Sequence, residues 1–153
     1  MAMRESEITA ESGCRALRDH AADRANLARV RYGPITDAAR LATLLNDREI
    51  VRHPVTIEFD ARPLQPGELA HVERIGALPV DGFRIVVYPT LRDREDAWLA
   101  AALYQLVLVN YGEIASSEVA EVFGAVLLGL DIETYYRRLC ALADGLVESG
   151  EGA

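Results

Sequence analysis

Apolar and polar positions divide this chain into a helical start, a strand-like middle and a helical end. From about Ile8 to Val30, Cys14, Leu17, Ala21, Ala25 and Ala28 fall on one face of a helix. The stripe is made mostly of small side chains, which suits close packing against another helix. Gly13 weakens this helix by about 1 kcal/mol relative to Ala, and Tyr32-Gly33-Pro34 ends it. A short second helix follows, with Thr36 as its expected N-cap and Leu41, Leu44 and Leu45 as its apolar face.

The period then changes to two. Val55, Ile57 and Phe59 alternate with Thr56, Glu58 and Asp60, which predicts a half-buried strand over Val55–Asp60 with Pro54 confined to its start. Arg62 to Gly67, with two prolines, reads as a loop, Glu68–Ile75 as a second strand and Phe83–Tyr88 as a third. A three-stranded antiparallel meander is the economical assembly.

Helical spacing returns after Pro89. Thr90 with Asp93 three residues later predicts a capping box. From Trp98 to Val109 the chain is apolar nearly all round, interrupted by Gln105, which predicts a central buried helix ending at Gly112. Asn110-Tyr111-Gly112-Glu113 forms a polar knot there, its ordinary role being helix termination. Ser116 is the expected cap of the next helix, with Val119, Val122, Phe123 and Val126 inward. Asp131 is the expected cap of the last, whose stripe is Ile132, Tyr135, Leu139, Leu142 and Leu146. Residues 150–153 are expected to fray.

The expected fold is therefore α+β, one domain over residues 1–153. A small antiparallel sheet of about three strands packs with N- and C-terminal helices, and the C-terminal third is all-helical. Residues 1–33 form a helix that either stands apart or packs on a partner.

Composition removes several classes of function. All 16 basic residues are Arg, which excludes Walker-type phosphate loops, Schiff-base chemistry and Lys general bases, since each needs an ammonium side chain. Cys14 and Cys140 have no metal-type spacing, and a reduced, cytoplasmic setting is the simplest expectation. The longest apolar run falls well short of the ~20 residues that span a bilayer, and the first residues carry acids where a secretory signal needs an apolar core. The net charge of −8 is unevenly placed, with two Arg against eight acids after residue 100. Such a surface repels a phosphate backbone and argues against nucleic acid as partner.

Candidate chemistry centres on His53 to Gly76. Paired as a hairpin, Glu58, His71 and Glu73 would share the outer face of the two strands, with His53 at its far end. A His beside carboxylates can hold a divalent metal through one ring nitrogen or keep its imidazolium charged. His71-x-Glu73 weakly resembles a cupin metal motif, without that family's other ligands and glycines. A second candidate is Tyr136, Arg137 and Arg138, an aromatic with two guanidinium forks suited to an anionic ligand. The segment from Glu118 to Leu139 superficially resembles a helix-turn-helix DNA reader. It departs from that pattern because Ala125–Leu128 continues the apolar helix past Gly124, and its only basic residues stand among acids.

With no recognisable catalytic motif, the leading expectation is an accessory protein acting through protein contacts, as a homo-oligomer or with a partner chain. The alternative is a metal- or small-ligand-binding protein, with a divalent metal as the candidate cofactor, and a DNA-reading regulator comes third.

Overall fold

The long N-terminal helix α1 (Glu5–Tyr32) owes its place to alanine. Ala21, Ala25 and Ala28 are completely buried, and α1 lies along α4 (Ser117–Leu128). Side chains this small let two backbones approach closely, as the spacing predicts. The packing stripe begins at Leu17, because Cys14 is exposed. The small-residue face expected to meet a partner is occupied from within the chain. The computed structural model describes the backbone from Glu5 to Glu151 and the side chains from Gly13 to Leu146.

Helix α2 (Ala38–Leu45) is capped one residue later than expected. The Asp37 carboxylate, not Thr36, accepts from the Arg40 amide at 2.8 Å. Three strands follow, β1 (Val55–Phe59), β2 (Ala70–Arg74) and β3 (Phe83–Val87). The sheet is mixed rather than a simple meander, for β3 lies in the middle, parallel to β1 and antiparallel to β2. The loop from Asp60 to Leu69 makes this arrangement. Too long for a tight hairpin turn, it arches over the end of β3, where Asp60 N donates to Val87 O and Tyr88 N donates to Leu69 O. The alternation within each strand is as predicted. Val55, Ile57, Phe59, Ala70 and Val72 face the helices together with the buried Ile85 and Val87.

Helix α3 (Glu95–Tyr111) is the central element, with Leu99, Leu103, Leu106 and Val107 fully or almost fully buried. It packs on β2 and β3 at one side and on α4 and α5 (Ile132–Glu151) at the other. Trp98 meets Phe59 edge to face, with ring centroids 5.7 Å apart. The helix starts at Glu95, because Pro89–Leu91 forms a 3₁₀ turn and Thr90 sits inside it, so the predicted capping box does not form. Gly112 closes α3 at φ 68°. Ser116 accepts from the Val119 amide, and Asp131 accepts from the Thr134 amide and hydroxyl, as the sequence indicates. Helix α5 runs to Glu151, beyond the fraying expected at 150, and residues 152–153 lie outside the described residues.

Two buried polar groups fasten the core. Asn110 donates to Ile50 O at 2.7 Å and accepts from Arg52 N at 3.0 Å, so the polar knot at the end of α3 ties down the segment before β1. Tyr135, fully buried on α5, donates to Ala100 O on α3 at 2.6 Å. Its ring lies against Gly124 of α4, where a β-carbon would stand 2.5 Å from its Cε2 and Cζ atoms.

Candidate functional site

The outer face of the sheet carries the carboxylates that the alternation places there, arranged around a different centre. Arg84, on the middle strand, reaches Glu58 on one side at 3.0 Å and Glu73 on the other at 2.9 Å. Glu58 and Glu73 therefore converge on a guanidinium. Strand β3 separates β1 from β2, and at a strand spacing of about 4.8 Å the two outer strands lie nearly 10 Å apart. His71 stands opposite Val86, and its Nδ1 lies 3.9 Å from Glu68. The His53 ring packs on Phe83 at 5.6 Å. Both histidines border one open groove of about 680 Å³ with Arg74 and Glu113. Among the described residues, no three His, Cys, Asp or Glu side chains stand close enough to hold a metal ion.

The second sequence candidate divides between two sides of α5. Arg137 pairs with Glu133 one turn back. Arg138 lines a groove with Arg94 and Asp96. Tyr136 alone points into a different cleft. These three side chains do not form one anion pocket. Helices α4 and α5 make a plain hairpin, whose junction is the left-handed Gly129.

That different cleft measures about 320 Å³, at the small end of the ~300–1,000 Å³ range for small-molecule sites. Its floor is apolar, from Ala70 on β2, Ala101 on α3 and Leu139 on α5, with Leu69 beside it. Polar groups converge on it from three helices: Tyr104 and Gln105 from α3, Glu121 from α4, and Tyr136 and Cys140 from α5. The lining is spread over three helices and a strand, so no local spacing in the sequence announces the site. One signal was present, namely a polar interruption in an apolar helix, at Gln105 and again at Glu121.

Three groups that line this cleft have raised titrations. Burial pushes the Glu121 carboxyl above its usual range, with Glu118 adding to the effect. Burial also raises the Tyr104 phenol, helped by the charge of Glu121. Tyr136 is raised mainly by its hydrogen bond with the Cys140 thiol. Among the described residues, the Glu121 carboxylate makes no hydrogen bond or ion pair. A carboxylate with a raised titration at the wall of a cleft is a candidate functional group. Compared with known proteins, the chain matches no family model, no curated protein and no solved structure.

Proposed function

We propose that this protein is a non-catalytic binding protein, and that it seats a small molecule in the cleft between β2, α3, α4 and α5. The observation that carries the reading is Glu121, a carboxylate left without a partner at the wall of an apolar cleft and flanked by the phenols Tyr104 and Tyr136. Apolar concavities with a few convergent polar groups are where proteins bind small molecules, and groups with perturbed titration cluster there. Among the described residues, no nucleophile–base pair accompanies it. Cys140 touches a phenol, and all three histidines lie elsewhere.

The test is a fragment screen by amide chemical shifts on the full chain. Perturbations confined to residues 67–70, 101–105, 117–121 and 136–143 are expected. A diverse library that shifts other regions and leaves these unmoved would refute the reading.

A second reading, an accessory protein working through protein contacts, has its own observation. Between β2 and β3 the loop exposes Ile75, Leu78 and Val80 to more than half their area. The loop is held rigid, since Asp81 accepts from the Leu78 amide and fills the space beside Gly76. Sizing at micromolar concentration tests it, the expected result being an oligomer that Leu78→Asp splits. A monomer for the unaltered chain argues against self-association.

A further inference from the structure

The charge of the cleft narrows what it takes. Among the described residues, no Arg or His side chain lines it, and the carboxyls there are Glu121 within and Glu68 at the rim. Arg18 is engaged with Glu118 at 2.8 Å, and the His71 ring lies 3.9 Å from Glu68. Glu68 also accepts from the Gln65 amide at 3.1 Å, so it is held in place by its own loop. Inside the cleft, Glu121 has no neutralising partner among the described residues. An anionic ligand would meet two carboxylates and no donor of opposite charge, and a neutral ligand would leave Glu121 as it stands.

The walls add a second preference. Tyr104 and Tyr136 approach from different helices, and the negative face of an aromatic ring attracts a cation by about 0.5–2 kcal/mol. A half-buried carboxylate beside aromatic rings over an apolar floor matches an ammonium centre carried on an apolar body. Ser117 and Gln105 offer oxygens for any N–H groups that such a centre carries.

We propose that the cleft binds a small organic cation, with Glu121 as counter-charge, Tyr104 and Tyr136 flanking the ammonium and Leu139 and the alanines receiving the apolar end. This rests on the cleft being a binding site at all, and it adds the class of ligand. The surroundings favour the same class, because residues 101–153 carry two Arg against eight acids and present a field that draws cations in.

Three probes that share one body test it by amide chemical-shift titration of the full chain: 2-phenylethylammonium, 2-phenylethanol and 3-phenylpropanoate. The expected result is binding at the cleft with the ammonium favoured about tenfold over the alcohol, and the carboxylate weakest. Glu121→Gln should remove most of that preference while leaving the alcohol's affinity unchanged. Tyr104→Leu should weaken the ammonium more than the alcohol. Equal affinity for all three probes, unaltered in Glu121→Gln, would overturn the cation assignment and leave the binding cleft standing. Failure of every probe to shift the cleft at millimolar concentration would overturn the binding cleft itself.

Discussion

Gly124→Ala tests the packing that holds α3, α4 and α5 together. The new methyl would sit 2.5 Å from the Tyr135 Cε2 and Cζ atoms, about 1 Å inside van der Waals contact. Tyr135 has no room to yield. It is fully buried, and its hydroxyl is tied to Ala100 O at 2.6 Å. Moving the ring by 1 Å breaks that bond and leaves a buried donor unsatisfied, at about 1–3 kcal/mol, and overpacking adds about 1–3 kcal/mol. Better helix propensity returns only about 1 kcal/mol. The expected net loss is about 1–5 kcal/mol, read from the urea midpoint at constant slope. Tyr135→Leu in the same chain removes the ring, so the double variant should be at least 1 kcal/mol more stable than the two single effects predict. A Gly124→Ala protein as stable as the parent, or more so, would refute the view that this glycine exists to admit the ring.

Three further outcomes follow from particular contacts. Asn110→Ala should cost about 2–4 kcal/mol, because it leaves Ile50 O and Arg52 N without their buried partner, and hydrogen exchange should speed up selectively at residues 50–52. Glu121→Gln should raise the thermal midpoint at neutral pH. The folded carboxyl of Glu121 lies above its unfolded value, so stability linked to this group is full below the unfolded range, near 4.3, and is lost as pH rises through the folded value. The gain should therefore vanish on acidification, and a gain of equal size at pH 3 would exclude this cause. Asp60 shows the opposite sign. Arg62 holds its carboxyl down to about 2, so the stability it contributes is present above roughly 3.9 and is lost as pH falls toward 2. Arg62→Gln should move the Asp60 titration, followed by NMR, upward toward the ordinary carboxylate range, with the backbone N–H of residue 62 and Arg84 still holding it below.

Much of the local architecture was legible in the sequence. Alternation placed Val55, Ile57 and Phe59 inward and Glu58 and Glu73 outward, and the caps at Gly112, Ser116 and Asp131 fall where the side-chain chemistry requires. Strand order was not legible. Neighbours in sequence usually pair in space, and nothing in Val55–Arg74 indicates that β3 will enter between the first two strands. The same insertion decides the fate of the predicted His–carboxylate face. It supplies Arg84 as the centre for Glu58 and Glu73 and leaves His71 beside Glu68. The cleft was hidden for another reason. Tyr104, Glu121 and Tyr136 share no helix, and they meet only once α3, α4 and α5 have packed.

The middle position of β3 bears on how the chain reaches its fold. On the ribosome β1 and β2 are made first, and until residues 83–87 emerge neither has its native neighbour. The two run antiparallel to one another across β3, so the hairpin suggested by their sequence is the pairing open to them in the meantime. It would have to dissolve before β3 could enter. The β2–β3 pair closes over a short loop, whereas β1–β3 pairing must wait for the arch from Asp60 to Leu69 to settle, and contacts of greater sequence separation form more slowly. The expected order is β2–β3 pairing first and β1 last, to be read from pulse-labelled hydrogen exchange at residues 55–59 and 70–74.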